Sequence, residues 1–127
     1  MDKKHNHNTG HWGEEMACKY IQSLGWQVLE RNCVLRFPGV RQSVGEIDIV
    51  AKCADVIVFI EVKARNGSKF GGSLEAITFA KEKKLRLLAE VYMRRHYPDN
   101  SCRFDVIGID CFGGQVKLTH IENAFAG

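Results

Sequence analysis

Three ionisable residues stand inside two apolar segments of the chain, between Gly45 and Arg65. Asp48 lies in the first segment, GEIDIVAK, and Glu61 and Lys63 lie in the second, DVIVFIEVKAR. Ionised side chains are rarely buried in such segments unless they are paired or hold a metal. The three residues therefore indicate a functional site.

The chemistry of these three side chains is that of a metal-assisted reaction at a phosphate. If the two segments form a hairpin, side-chain alternation can place Asp48 beside Glu61 and Lys63. Neighbouring carboxylates repel each other, and a divalent cation relieves that repulsion. Oxygen ligands suit Mg²⁺ or Mn²⁺ better than zinc, and the lysine could orient a water or stabilise charge on a phosphate. Any one residue alone is better explained by a cross-strand salt bridge on a solvated face, but together they favour a site.

Two helical residues could point at the same sheet face. Lys81 follows Ile77 by four residues and precedes Leu85 by four, so it falls in the inward stripe of a long helix. Glu14 precedes Ile21 by seven residues and borders the inward face of an earlier helix. A snorkelling lysine and a first-turn carboxylate that suits the helix dipole are the alternatives.

The elements that must position these residues form an α/β sheet with helices packed on it. The last segment, Ile121 to Phe125, is predicted to form a helical turn. The predicted elements are a helix from His11 to Leu24, a strand from Trp26 to Phe37 interrupted near Arg31 and Asn32, strands from Glu46 to Lys52 and from Val56 to Ala64, a helix from Leu74 to His96 capped by Ser73, and strands from Arg103 to Asp110 and from Val116 to Thr119.

Length and composition favour one globular domain, residues 11–127, after a flexible tail, residues 1–10. The chain has 127 residues, of which 45% are hydrophobic and 26% charged. No apolar run approaches the roughly 20 residues that span a membrane. The first residues, MDKKHNHNTGH, lack the apolar core of a signal peptide, so we expect a cytoplasmic protein without a membrane partner.

The cysteines and the net charge narrow the possible functions only slightly. Five cysteines without CxxC spacing predict reduced thiols and no zinc site. The net charge of +3 permits a polyanionic partner if the charge is concentrated on one face. Arg103 and Asp105 share a face of one strand and are predicted to form a structural ion pair.

The ordered set of motifs resembles the D…(D/E)xK signature of the PD-(D/E)XK nuclease superfamily. More narrowly, the chain is similar to the YraN family of small bacterial endonuclease-like proteins, which resemble archaeal Holliday junction resolvases. The resemblance covers about Gly10 to Phe125. Its pieces are Gly13-Glu14-x-x-Ala17, Arg31-Asn32, Gly45-Glu46-Ile47-Asp48, Phe59-Ile60-Glu61-Val62-Lys63-x-Arg65, Phe70-Gly71, Lys81 and Arg103-Phe104-Asp105-Val106.

This resemblance implies a restriction-endonuclease-like fold, with a mixed five-stranded sheet flanked by helices. It implies that Asp48 and Glu61 bind Mg²⁺ or Mn²⁺, with the backbone carbonyl of Val62 and the side chain of Glu14 as further ligands. Lys63 would position the attacking water, and Lys81 would help to hold phosphate or water.

The implied activity is a metal-dependent DNA endonuclease, with branched or junction DNA as the substrate by analogy with the resolvases. A symmetric homodimer is expected, since one small chain has one site for two strands. The alternative is a non-catalytic module that binds nucleic acid or an accessory partner on a nuclease fold. An enzyme acting on another phosphate ester is a third reading. Candidate DNA contacts are Arg36, Arg41, Arg65, Lys69 and Lys84.

Overall fold

The protein is represented by a computed structural model, which describes residues 2–36, 39, 45–67 and 78–125. The described residues form two helices and five strands, in the order helix, three strands, helix, two strands. In chain order they are α1 (Asp2–Ser23), β1 (Gln27–Leu35), β2 (Gly45–Cys53), β3 (Val56–Asn66), α2 (Phe79–His96), β4 (Ser101–Phe112) and β5 (Gln115–Ile121).

The five strands form one mixed sheet in the order β1-β2-β3-β4-β5. Only β3 and β4 are parallel, and α2 lies in the connection between them. The other neighbouring pairs are antiparallel. A mixed five-stranded sheet flanked by helices is therefore confirmed.

Strand β3 is the centre of the sheet and is covered on both faces. The side chains from Ile57 to Ile60 are at most 2% exposed. Ile57 and Phe59 pack in a core with α2, whereas Val58 and Ile60 pack in a second core with α1. The two helices thus lie on opposite faces of the sheet. Alternate residues of β3 are apolar on both faces because a helix covers each face.

The first helix differs from its prediction at both ends. It begins at Asp2 rather than at His11, and it ends at Ser23. Leu24, the predicted last residue, lies beyond the helix and is 45% exposed. Cys18 takes an inward position instead and is buried. The flexibility of residues 1–10 stays a prediction.

The second helix begins at Phe79, five residues later than predicted. Thr78 has an extended backbone, and its hydroxyl accepts a hydrogen bond from the backbone N–H of Lys81 at 3.2 Å. Thr78 is therefore the N-cap that the sequence analysis assigned to Ser73. Ser73 itself and Ile77 lie outside the described residues.

The interruption predicted in the first strand is present. The β1–β2 register shifts between Val28 and Glu30, and Asn32 has a φ of 51°. A positive φ is uncommon for a residue with a side chain, although asparagine tolerates it better than most. A hairpin turn joins β4 and β5, where Gly113 and Gly114 both have positive φ.

Ile121 belongs to β5, and residues 122–125 form a turn in which Asn123 has a φ of 52°, so the helical turn predicted from Ile121 to Phe125 is wrong. Buried Asp105 holds this turn, because its carboxylate accepts a hydrogen bond from the backbone N–H of Asn123 at 3.0 Å. Arg103 donates two hydrogen bonds to the same carboxylate, at 3.0 and 3.2 Å, which confirms the predicted ion pair. None of the helices in the described part of the chain has the length and apolar character needed to cross a bilayer.

Candidate active site

The site lies where β2 and β3 stop pairing. Their ladder runs from Cys53 and Val56 to Ile49 and Ile60. Asp48 is the next residue of β2, and its carboxylate accepts a hydrogen bond from the backbone N–H of Val62 at 2.8 Å. The carboxylate of Asp48 thus accepts the hydrogen bond that a backbone carbonyl of β2 would otherwise accept.

Glu61 lies beside Asp48 and is only 5% exposed. The charge of Glu61 acts on the pKa of Asp48, as expected for two neighbouring carboxyl groups. The ammonium Nζ of Lys81 on α2 lies 3.1 Å from Oε2 of Glu61. The charge of Lys81 also acts on the pKa of Lys63, so the structure brings these four side chains together.

Burial and mutual charge shift the pKa values of this cluster. Burial, the hydrogen bond to Glu61 and the charge of Glu61 raise the pKa of Asp48 to about 8. Burial, followed by the hydrogen bond to Lys81 and the charge of Lys81, lowers the pKa of Lys63. Burial alone would lower the pKa of Lys81 as well, but the charge of Glu61 and the hydrogen bonds to Glu61 and Lys63 raise it. The two lysines are therefore chemically different.

Glu14 stands near this cluster on α1. Burial and the charge of Asp48 raise the pKa of Glu14, while a hydrogen bond from Asn32 acts in the opposite direction. Among the residues that the structure describes, no three or more His, Cys, Asp and Glu side chains form a group that could hold a metal ion. Because α1 and α2 lie on opposite faces of the sheet, Glu14 and Lys81 do not approach from the same face as predicted. Glu14 does not line the cavity described below, and its role as a ligand stays a prediction.

The donor atoms of the site fit a hard divalent cation. Oε2 of Glu61 is buried and has no hydrogen bond, although Lys81 lies close to it. The ion-pair distance and the missing hydrogen bond are compatible, because charge attraction does not require the directed geometry of a hydrogen bond. The backbone carbonyl of Val62 points to the same side of β3 as its N–H, towards Asp48. Two carboxylates and one carbonyl are oxygen ligands of the kind that Mg²⁺ and Mn²⁺ accept, with water in the other positions.

A cavity of about 450 Å³ opens over the carboxylates. Its floor includes Asp48 and Glu61, and α2 forms one wall. The lining residues are Gly45, Glu46, Asp48, Glu61, Ala80, Lys81, Lys84, Leu85 and Leu88. Pockets that take small ligands typically measure about 300–1,000 Å³, so part of a substrate can enter.

Lys84, one of the candidate DNA contacts, lines this cavity. Exposed Lys83 does not line the cavity, and Arg86 pairs with Glu82 at 3.4 Å.

The other candidate DNA contacts are less defined by the structure. Exposed Arg36 follows β1, and its carbonyl accepts a hydrogen bond from the guanidinium of Arg95 at 2.9 Å. Exposed Arg65 lies near the end of β3, on the face of Glu61 and Lys63 by alternation. Arg41 and Lys69 lie outside the described residues.

Two glycines of the site were not recognised from the sequence as positioning residues. A Cβ at Gly13 would lie 2.6 Å from Cβ of Ala64, so glycine lets α1 approach β3 next to Glu14. A Cβ at Gly45 would lie 2.8 Å from Cδ1 of Leu88 and 2.9 Å from Cε of Lys84. A glycine within a predicted helix is the available signal at Gly13, since it disfavours the helix unless packing requires it.

Comparison with known proteins places this chain in a family. Residues 13–109 match the model described as "Uncharacterised protein family UPF0102". A UPF0102 protein of Desulforamulus reducens is 41% identical over 120 residues, covering 91% of this chain and 93% of the relative. UPF0102 proteins of Syntrophomonas wolfei (40% over 123 residues, 94% and 99% covered) and Rhodococcus jostii (37% over 125 residues, 95% and 98% covered) are also similar. The chain therefore belongs to the UPF0102 family, which is the YraN-like family that the sequence motifs predict.

Proposed function

We propose that this protein is a metal-dependent DNA endonuclease of the PD-(D/E)XK superfamily. The observation that supports this proposal most strongly is the meeting of Asp48, Glu61 and Lys81 at one cavity, with Lys63 close enough to Lys81 for the two charges to interact. The two carboxylates supply ligands for a cation. The two lysines supply positive charge for a phosphate. A binding module has no need of a buried carboxylate pair, so cleavage is favoured over binding alone.

The residues that would hold the cation are Asp48, Glu61 and the carbonyl of Val62. When bound, Mg²⁺ or Mn²⁺ would lower the pKa of a coordinated water and neutralise charge on the scissile phosphate. The hydrogen bond from the backbone of Val62 fixes the orientation of Asp48. Lys81 fixes Glu61 through the 3.1 Å ion pair, so both carboxylates are preorganised.

Lys63 is the residue that we assign to the attacking water. Its pKa is lowered by burial and by Lys81, so it gives up a proton more readily than an ordinary lysine. In the proposed reaction the water oxygen bonds to phosphorus and the P–O3′ bond breaks. The proton of the water passes to neutral Lys63 or to solvent, and the leaving O3′ takes a proton from solvent. The products are a 5′-phosphate and a 3′-hydroxyl.

We further propose DNA as the macromolecular partner and the cytoplasm as the location. Branched or junction DNA is the substrate class that follows from the resemblance to resolvases. Cutting both strands of such a substrate requires two sites, which a symmetric homodimer would supply.

The experiment that tests this function is a cleavage assay on supercoiled plasmid and a synthetic four-way junction. Purified protein is incubated with Mg²⁺, Mn²⁺ or EDTA. We expect nicked or resolved products with either metal and none with EDTA. Asp48→Ala and Lys63→Ala should each lower the rate by at least about 100-fold, as expected for groups that hold a metal or a reacting water.

Two matched variants control for charge and folding. Exposed Asp99→Ala and exposed Lys117→Ala remove the same charges away from the site and should cleave like the wild type. Cleavage that persists in Asp48→Ala and Lys63→Ala would contradict the assignment of the site. DNA binding by the wild type without any cleavage would contradict the endonuclease and support the binding module.

A further inference from the structure

Lys84 and Gly45 form a contact that nothing in the metal site requires. The side chain of Lys84 crosses from α2 to β2 and places Cε where a Cβ of residue 45 would be only 2.9 Å away. Lys84 also lines the cavity over Asp48 and Glu61. The absence of a side chain at position 45 therefore lets the stem of Lys84 lie on the strand and its ammonium reach the cavity wall.

The two lysines on this cavity wall, Lys81 and Lys84, differ in their ion-pair partners. Lys81 pairs with Glu61 at 3.1 Å, so its charge is used within the cluster. Lys84 makes no ion pair with any residue in the described part of the chain. Its charge is available for a group that enters the cavity from outside.

The separation of the lysines fits two phosphates of one strand. Residues three apart on a helix have Cβ atoms about 5–6 Å apart, on the same face. Lys81 lies at the carboxylates, where the scissile phosphate would sit, so Lys84 faces a position further along the cavity. A second phosphate of the same backbone is the anion that this arrangement suits.

We propose that Lys84 binds the phosphate that neighbours the scissile one, and that Gly45 is the residue that makes this contact possible. This inference rests on the proposed function and specifies its substrate. The ligand is a polynucleotide backbone with a flanking phosphate, and an isolated phosphate ester lacks the group that Lys84 recognises. Because the contact is to phosphate, it adds affinity without sequence preference.

The test is the salt dependence of DNA binding, which needs no cleavage. Binding of a labelled four-way junction is measured by fluorescence anisotropy in EDTA from about 50 to 200 mM salt, since each phosphate contact contributes about −0.9 to the slope of log K against log [salt]. We expect Lys84→Ala to make this slope about one unit less steep. Lys84→Arg should keep the wild-type slope, because it keeps the charge.

Lys83→Ala is the matched control, since it removes the same charge one residue earlier without touching the cavity. Its slope should stay close to that of the wild type, and thermal melting should show that all variants are folded. An unchanged slope in Lys84→Ala, an equal loss in Lys83→Ala, or no binding by the wild type would each overturn the inference. If Lys84→Ala loses the contact but the wild type never cleaves DNA, only the endonuclease function fails. If the wild type cleaves and the slope is unchanged, only the role of Lys84 fails.

Discussion

The backbone N–H of Val62 donates a hydrogen bond to the carboxylate of Asp48 at 2.8 Å, just beyond the last β2–β3 pair, Ile49 and Ile60. This bond joins two strands that have begun to separate. It directs Asp48 into the gap and leaves the carbonyl of Val62 on the same side. The place where the ladder ends is thus also the place where oxygen ligands collect.

Replacing Asp48 by asparagine should stabilise the protein while it removes activity. The raised pKa of Asp48, about 8, means that the folded state binds this proton more tightly than the unfolded state, where the pKa is about 3.9. Wild-type stability should therefore fall as pH rises between these values, and the full loss is reached above about pH 8. The asparagine side chain cannot ionise but can still accept the bond from Val62.

Urea unfolding in EDTA at pH 5, 7 and 9 measures this effect. We expect Asp48→Asn to be more stable than the wild type by about 1–3 kcal/mol at pH 9 and to differ little at pH 5. Asp99→Asn, on an exposed turn, should show no such pH-dependent difference. If Asp48→Asn were less stable than the wild type at pH 9, ionised Asp48 would not destabilise the folded state.

Removing Lys81 should destabilise the protein. Lys81→Met keeps much of the stem but leaves the buried carboxylate of Glu61 without its 3.1 Å partner. Because Lys81 is partly exposed, we expect a loss of about 1–2 kcal/mol, less than for a fully buried pair. Chemical denaturation at pH 7 measures the loss, with exposed Lys83→Met as control. Lys81→Met/Glu61→Gln should recover part of the stability, and no recovery would argue against the pair.

Addition of Mg²⁺ or Mn²⁺ should raise the melting temperature of the wild type. A cation that binds the folded state at 100 times its dissociation constant adds about 2.7 kcal/mol to the stability. Glu61→Gln should abolish the increase, whereas the response of Asp99→Asn should match the wild type. An equal increase in Glu61→Gln would show that the cation binds elsewhere.

Gly13→Ala should separate α1 from β3. The new Cβ would lie 2.6 Å from Cβ of Ala64, which requires the helix to move. We expect a loss of about 1–3 kcal/mol from overpacking, reduced by up to about 1 kcal/mol through the better helix propensity of alanine. The double variant Gly13→Ala/Ala64→Gly should be more stable than Gly13→Ala in urea unfolding. Equal stability of the two would mean that the contact does not limit the approach of α1.

Asn32→Ala should cost more than Asn32→Gly, because the φ of 51° at this position penalises a Cβ. The left-handed conformation costs a residue with a Cβ roughly 1–2 kcal/mol. Glycine adopts it without this cost. Both variants lose the amide side chain that acts on the pKa of Glu14. Comparison of their unfolding free energies therefore isolates the backbone effect, and a less stable Asn32→Gly would contradict it.

Much of the fold could be predicted from local patterns. The strands β2 and β3 follow from apolar runs bounded by turns, and β3 is apolar at both parities because it is covered by both helices. The helix boundaries were less predictable. Threonine and serine are both good N-cap residues, so residue type alone did not show that Thr78 caps α2.

The sequence by itself determined which residues can do chemistry: two carboxylates and a lysine in strands too apolar to carry them without a reason, and a second lysine in an inward helical stripe. Tertiary structure decided how they meet. The separation of β2 from β3, the bond between Val62 and Asp48, and the approach of Lys84 over Gly45 all join residues distant in sequence. Alternation and helical periodicity report the face on which a side chain lies, but a distance between elements depends on the packing of the whole sheet.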